Sequence, residues 1–288
     1  EIVVLNQFDQ IGNAIWHYVC TGRAMEEVFQ KERKGKEQLR ALCLTQGSAG
    51  TLGSAEYLKE KFPHIKVAAA EALQCPTLLN TGYGAHRIEG IGDKHVPLIH
   101  NLRSTDLVVD IDDEDCMRLL RLFNEERGRN FLKKKGVDPR VVDNLDLLGI
   151  SCIANLLTAI KTAKYYEMNE DSIIMTVATD SMEMYGSRLQ EEREAHGEYT
   201  ELESAADFEK CLMGQSIDWM LELSYWDCKR MHNLKYFTWI EQQGKTVEEL
   251  NAQWYDEDYW SKQFHAFEKW DELIREFNDR TGLLKKYS

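Results

Sequence analysis

Residues 41–71, which read ALCLTQGSAGTLGSAEYLKEKFPHIKVAAAE, decide the fold class. The apolar run 41–45 is typical of a buried strand, and the small residues of 46–54 predict a turn after it. A helix is expected over 55–62 and a second strand over 65–71. Because parallel strands are joined by a crossover that is usually a helix, this order predicts a βαβ unit. The sequence therefore favours an α/β fold with a parallel sheet covered by helices.

Further elements of the same kind flank this unit. Apolar runs at 106–111 and 172–180 predict two more strands, the second being the last buried strand of the sheet, and the run at 1–8 is strand-like as well. A helix is predicted over 112–127, because its acidic first residues suit the positive end of a helix dipole. The basic stretch 129–140 is expected to be exposed.

The composition changes after residue 188. Six of the seven tryptophans lie beyond it, helical patterns dominate there, and no strand is evident. We therefore predict two parts: the C-terminal part of an α/β domain at 1–188, and a Trp-rich helical extension at 189–288.

The overall composition narrows the classes of partner. The chain has 288 residues, 43% of them hydrophobic, and a formal net charge of −14. This charge opposes binding to nucleic acid or to an anionic membrane, because both are negative themselves. Neither a membrane-spanning apolar run nor a signal peptide is recognisable, which favours a cytoplasmic protein. The seven cysteines are never spaced as C-x-x-C, which argues against a disulfide framework or a zinc knuckle.

The turn Gly47-Ser48-Ala49-Gly50-Thr51 is the sharpest local signal for binding. Small side chains let backbone N–H groups approach an anion, the following helix adds its dipole, and the two hydroxyl groups can donate hydrogen bonds. The turn lacks the Gly-Lys-Ser/Thr of a Walker loop, and Ala49 replaces the second glycine of a dinucleotide fingerprint. It therefore predicts a phosphate site, with an ordinary strand-to-helix turn as the alternative.

Five segments, in order, resemble motifs of one enzyme family. The family is that of cysteine synthase and cystathionine β-synthase, the fold type II pyridoxal-phosphate enzymes, whose motifs read QQFENPANPxxHxxTTG, GTGGT, IQGIG, GISSGAA and PSSGERY. The resemblance covers roughly residues 1–188 and implies a three-layer fold like that of the tryptophan synthase β subunit, incomplete at the N-terminus. The matching segments are NQFDQIGNAIWHYVCTG (6–22), GSAGT (47–51), RIEGIG (87–92), GISCIAN (149–155) and TDSMEMY (179–185).

The resemblance implies the cofactor pyridoxal 5′-phosphate and a reaction class. The implied reaction is β-elimination or β-replacement on a small amino acid such as serine, an activated serine or cysteine, and a homodimer is the expected assembly. Gln7 would bind the substrate carboxylate, and the backbone of Gly90, Ile91 and Gly92 would lie near the α-amino group. The implied cofactor-binding residues are Gly47, Ser48, Ala49, Gly50 and Thr51 at the phosphate, Ser151 beside the pyridine nitrogen, and Thr179 and Asp180 near the ring edge.

The chain also departs from the family pattern. The family's Schiff-base lysine segment, S-x-K, and its second carboxylate loop, TSGNTG, lie upstream of the aligned region, and neither occurs in these 288 residues. The lysine is therefore expected outside this chain, which begins with Glu1 and is expected to be inactive alone, as a fragment or as the larger part of a split enzyme. Cys152-Ile153 replace the family's Ser-Gly, and 128–147 is interpreted as an insertion, so the substrate stays open.

Three alternatives to this function are a metal site, a different enzyme of the same fold and a non-enzymatic domain. A metal site is disfavoured, because His86, His95 and His100, with Glu89 and Asp93, lack the helical i, i+4 presentation of zinc enzymes. A different lyase or synthase of the same fold, for example a threonine synthase-like or diaminopropionate-forming enzyme, would keep the same cradle. A lysine-free, non-enzymatic domain would keep the cradle and bind a partner through the helical extension. We expect that extension to make an oligomer contact or to pack across the active-site mouth.

Overall fold

The computed structural model describes residues 4–287, apart from the side chain of residue 283. The first three residues of the strand-like run 1–8 lie outside this range, and the described part of that run contains no strand. Among the described residues, no helix is both long and apolar enough to cross a membrane.

A five-stranded sheet forms the centre of the protein, in the order β4-β1-β2-β3-β5. The first four strands in this order pair in parallel, and β5 pairs antiparallel with β3. The predicted α/β fold with a mostly parallel sheet is therefore confirmed. The strands are β1 (Gln38–Thr45), β2 (Lys66–Ala72), β3 (Leu107–Ile111), β4 (Ser172–Met175) and β5 (Met220–Glu222).

Helices cover both faces of the sheet. On one face, α5 and α8 pack against apolar side chains of β3. On the other face, α2 and α3 pack against β1. The helices are α1 (Ile11–Trp16), α2 (Gly22–Glu32), α3 (Gly53–Lys61), α4 (Thr77–Asn80), α5 (Asp113–Asn124), α6 (Glu126–Lys134), α7 (Pro139–Val142), α8 (Ile150–Tyr165), α9 (Gly186–His196), α10 (Glu201–Asp207), α11 (Tyr225–Lys235), α12 (Val247–Tyr255), α13 (Tyr259–Phe264), α14 (Phe267–Thr281) and α15 (Leu283–Tyr287).

The predicted βαβ unit is present as β1, α3 and β2. Both strands carry apolar residues on successive positions because helices cover both of their faces, as is usual for parallel sheets. Short 3-10 and π-type turns extend several helices, including His17–Thr21 between α1 and α2, and Tyr236–Ile240 after α11.

Three sequence expectations were wrong. The run 172–180 yields only the four-residue β4, which is half-buried because it lies at the edge of the sheet. The basic stretch 129–140 is not simply exposed, because α6 buries Phe131 and Leu132 against the core. The region after residue 188 contains β5, a strand too short to give an alternating pattern. The division of the chain at residue 188 stays a prediction.

Two acidic side chains lie buried on neighbouring strands. Glu71 of β2 and Asp110 of β3 stand opposite each other in the parallel register, and both are at most 1% exposed. The Glu71 carboxylate accepts hydrogen bonds from the backbone N–H groups of Leu78 and Leu79 at 2.9–3.0 Å. Burial, together with the nearby Glu71 charge, raises the pKa of Asp110, so the folded protein holds a proton there at neutral pH.

This raised pKa predicts a pH-dependent effect of Asp110→Asn. Above the ordinary aspartate pKa of about 3.9, the unfolded chain loses a proton that the native Asp110 keeps, so the free energy of unfolding falls as pH rises. Asparagine does not titrate. We therefore expect the variant to be more stable than the wild type at pH 8, and this gain to shrink toward pH 4, by at most about 1.4 kcal/mol per pH unit.

Urea unfolding at several pH values measures this difference. The control is Asp271→Asn, which makes the same side-chain substitution at an exposed position of α14 and should alter the unfolding free energy by no more than about 0.5 kcal/mol. A difference between the Asp110 variant and the wild type that does not change with pH would contradict the prediction.

Candidate functional site

The glycine turn 47–51 follows directly from the carboxyl end of β1 and leads into α3. The Gln46 N–H donates to Ala70 O of β2 at 2.7 Å, which fixes where the turn leaves the sheet. Ala49 adopts a left-handed conformation with φ of 66°, and its side chain is buried. The chain therefore reverses abruptly over the end of the strand.

The turn presents unpaired donors at an accessible surface. Among the residues that the structure describes, none accepts a hydrogen bond from the backbone N–H groups of residues 47–51. Gly47, Ser48 and Thr51 are half-buried, so a ligand can reach them. Successive free N–H groups at the start of a helix are the arrangement that binds phosphate in other proteins. The residues present therefore fit the phosphate of the implied cofactor.

Close packing around the turn explains its glycines. A Cβ atom at Gly50 would lie 2.3 Å from the Asn13 side-chain oxygen, so only glycine fits there. A Cβ atom at Gly47 would lie 3.1 Å from Gly90 O, which brings the 87–92 loop within contact of the turn. The small residues at 47–50 thus serve close approach as well as ligand access.

Asn13 joins the predicted substrate segment to the turn. Its side-chain N–H group donates to Ser48 Oγ at 2.9 Å and to Gln7 O at 3.0 Å. The Ser48 hydroxyl accepts this bond and keeps its own hydrogen free to donate. The Gln7 side chain is exposed. Asn13 lies in the segment 6–22 that resembles a family motif, but its two hydrogen bonds were not predicted.

The Gly90 loop is held against the same turn. Gly92 N–H donates to Gln46 O at 2.9 Å. Two ion pairs fix the loop on its outer side, one from Arg87 to Asp113 at 2.8 Å and one between Glu89 and Arg188 of α9. Gly90 and Gly92 both have positive φ, of 83° and 76°, which glycine adopts without strain.

Ser151 lies in the first turn of α8, beside the segment that follows β4. Its hydroxyl is 2.9 Å from the Thr179 hydroxyl, and Thr179 is exposed. Gly149, at the start of the helix, donates its N–H to Asp180 O at 3.0 Å. Cys152 donates to the Asp180 carboxylate at 3.5 Å, so the replaced motif residue contributes to local structure.

Asp180 also accepts a hydrogen bond from the Tyr185 hydroxyl. Burial, together with this bond, raises the pKa of Tyr185 above its ordinary value, so the phenol stays protonated and donates. A Cβ atom at Gly149 would lie 2.0 Å from the Asp180 carboxylate, which explains the glycine at that position. Asp180 therefore points toward the start of α8.

One buried amide connects the two halves of the site. Asn155, which is 1% exposed, accepts a hydrogen bond from Thr45 N–H at 2.8 Å and donates one to Val177 O at 3.1 Å. Thr45 ends β1, and Val177 follows β4. The glycine turn and the Ser151–Thr179 pair therefore lie at the same edge of the sheet, as the predicted cofactor site requires. Asn155 was not among the predicted site residues, although a polar residue in an apolar helix is a usable signal.

The histidines considered for a metal make other contacts. His95 lies 3.0 Å from Asp93, and His100 is hydrogen-bonded to the Thr105 hydroxyl at 2.9 Å. Burial lowers the pKa of His100 to about 3, so that ring is neutral. Across residues 4–287, no group of three or more potential ligands is arranged to hold a metal ion.

Loss of the Asn155 amide should destabilise the fold. Asn155→Ala leaves Thr45 N–H and Val177 O without their partners at half-buried positions, and we expect the free energy of unfolding to fall by about 1–2 kcal/mol. Urea unfolding measures the change. The control, Asn251→Ala on the exposed face of α12, should stay within about 0.5 kcal/mol of the wild type. Equal stability of the two variants would show that Asn155 does not hold this edge.

Curated relatives of the chain are cysteine synthases. It is 31% identical over 184 residues to a probable cysteine synthase of Bacillus subtilis, covering 62% of this chain and 51% of the relative. It is 29% identical over 183 residues to cysteine synthase B of Campylobacter jejuni, covering 63% of this chain and 52% of the relative. The chain thus spans about half the length of the curated relatives it matches. No family model matches the chain.

Two solved structures share the fold of this chain. A hydrogen sulfide-producing enzyme from Fusobacterium nucleatum is 26% identical with a TM-score of 0.52, and the match covers 70% of this chain and 53% of that one. The cysteine synthase of Entamoeba histolytica, at 24% identity, shares the fold with a TM-score of 0.55 over 73% of this chain and 54% of its own. The chain is therefore similar to cysteine synthases, which are fold type II pyridoxal-phosphate enzymes, over about half of their length.

Proposed function

We propose that the complete protein catalyses pyridoxal-phosphate-dependent β-elimination or β-replacement on a small amino acid, and that this chain supplies most of the cofactor's cradle. One observation carries the proposal. The unpaired N–H groups of residues 47–51 lie at the same sheet edge as the Ser151 hydroxyl, joined by the Asn155 amide. This arrangement offers an anion site and a ring-binding hydroxyl on a single rigid surface.

The residues of the turn bind and orient. The N–H groups of residues 47–51, with the hydroxyls of Ser48 and Thr51, would hold the phosphate as charge-assisted donors. When bound, pyridoxal 5′-phosphate supplies an electron sink for charge that develops on the substrate. Ser151 would contact the pyridine nitrogen through a neutral hydroxyl, which does not keep a proton on that nitrogen as a carboxylate would. Thr179, hydrogen-bonded to Ser151, would orient that hydroxyl.

Substrate groups would meet the other two segments. The exposed Gln7 amide would donate to the substrate carboxylate, and the backbone of Gly90, Ile91 and Gly92 would lie near its α-amino group. The lysine that forms the Schiff base would come from sequence outside these 288 residues, because the family's lysine motif is absent from them. A homodimer in the cytoplasm stays a prediction.

Cofactor binding can be tested on this chain alone. We expect weak, reversible binding of pyridoxal 5′-phosphate, measured by equilibrium dialysis. Ser48→Asp should weaken it by at least about ten-fold, because a carboxylate in the turn repels the phosphate. The control is Ser261→Asp, which adds the same charge at an exposed position of α13. Equal affinity of Ser48→Asp and the wild type would contradict a phosphate site at this turn.

The reaction itself is tested on the full-length protein with bound cofactor. We expect turnover of an activated serine such as O-acetylserine, measured as acetate release, because a good leaving group on the β-carbon suits this chemistry. The chain alone should not turn it over. A full-length protein that binds the cofactor but converts neither serine, activated serine nor cysteine would contradict the proposal and favour the lysine-free alternative.

A further inference from the structure

The helical extension (189–288) contacts the segments that carry the candidate substrate-binding groups. Its donors reach main-chain or acidic groups of the segments around Phe8 and between Leu78 and His100. We infer that the extension, chiefly through Trp239 and Lys245, positions Gln7 and the Gly90–Gly92 loop against the glycine turn. Which ligands depend on this positioning rests on the proposed function. The donors are Arg230, Lys235, Trp239 and Lys245.

Trp239 holds the chain just beyond the Gly90 loop. Its indole N–H donates to Val96 O at 2.8 Å, and its ring packs edge-on against His95 with centroids 5.5 Å apart. The side chain is only 1% exposed, so water does not compete for this bond. Val96 lies four residues after Gly92. The loop therefore ends in a fixed anchor that belongs to the extension.

The same contact continues to the Gln7 segment. His95 packs against Phe8 with ring centroids 5.3 Å apart, and Phe8 O accepts a hydrogen bond from Leu98 N–H at 2.9 Å. Lys245, five residues after the π-type turn that carries Trp239, forms an ion pair with Asp9 at 3.0 Å. Asp9 and Phe8 directly follow Gln7. The extension thus contacts both substrate segments at once.

Both segments then lead into the glycine turn. Asn13 links Gln7 O to Ser48, and Gly92 N–H bonds to Gln46 O. A shift at Val96 or Asp9 is therefore passed to the turn through two short hydrogen-bonded paths. Coupling of this kind lowers ligand affinity when the outer contact is lost, because the ordered loop becomes a minority conformation.

Lys235, another of these donors, has a different role. Lys235 is fully buried and donates to Leu98 O, His100 O and the Gln253 side chain at 2.7–2.9 Å. Removing it leaves buried acceptors unpaired and threatens the fold itself. Trp239 and Lys245 are better probes, since Phe keeps an aromatic ring at position 239 and position 245 is partly exposed.

Two substitutions test the inference. Trp239→Phe removes the indole donor but keeps an aromatic ring, and Lys245→Gln removes the ion pair but keeps a polar side chain. Without ligand, amide hydrogen exchange in peptides covering 6–13 and 86–100 should become faster in both variants, while β1 and β3 keep their protection. Affinity for pyridoxal 5′-phosphate should fall about three- to ten-fold, and Lys245→Arg should restore both properties.

The controls are Trp226→Phe and Lys262→Gln. Trp226 is 76% exposed, and within residues 4–287 Lys262 forms ion pairs only with Asp256 and Asp258 of the extension. Unchanged exchange in the two test variants, or equal changes in the controls, would overturn the positioning role. Failure of the wild type to bind pyridoxal 5′-phosphate would instead overturn the proposed cofactor, because the exchange experiment uses no ligand and decides the positioning role by itself.

Discussion

The buried Asn155 amide is the contact on which the candidate site depends. The carboxyl ends of parallel strands leave backbone groups without ladder partners, and the loops that follow start from those ends. Asn155 satisfies Thr45 N–H and Val177 O together, so the strand ends β1 and β4 are held in one register with α8. A buried amide without hydrogen-bond partners costs free energy, so other arrangements of these strand ends are disfavoured. The glycine turn and the start of α8 are therefore built on one rigid edge.

The proposed site would bind through main-chain groups more than through side-chain charge, which would let a protein of net charge −14 hold an anion. The donors are N–H groups aligned at the start of α3, and their field acts over a few ångströms, whereas the overall charge is screened by salt. Binding by main-chain groups needs small residues at the contact and a backbone held in a fixed position. Asn13 and the Gly92 N–H hold the backbone of the turn from two sides.

The parts of the structure that sequence could predict are those with local causes. The strands β1, β2 and β3, the helix α3 and the glycine turn follow from apolar runs, small residues and their order. Contacts with neighbours that are distant in sequence determine the rest, namely the shortness of β4, the strand β5, the buried side of α6 and the role of Asn155. The extension's tryptophans show the same limit. Trp239 is buried and Trp226 exposed, although both lie in similar helical patterns.

The region interpreted as an insertion contacts the helical extension, and this bears on where specificity arises. The region interpreted as an insertion forms α6 and α7, and α6 packs against α10 of the extension, with Phe131 and Phe208 rings 5.8 Å apart and an ion pair between Lys134 and Glu201 at 2.7 Å. These elements lie beside α5, on the face of the sheet opposite α3. The part of the extension after β5 instead contacts Val96, just beyond the Gly90 loop, and Asp9 in the Gln7 segment. Changes in substrate preference should therefore follow from Trp239 and Lys245 rather than from the insertion, since these two residues contact the segments that lead to the Gly90 loop and to Gln7.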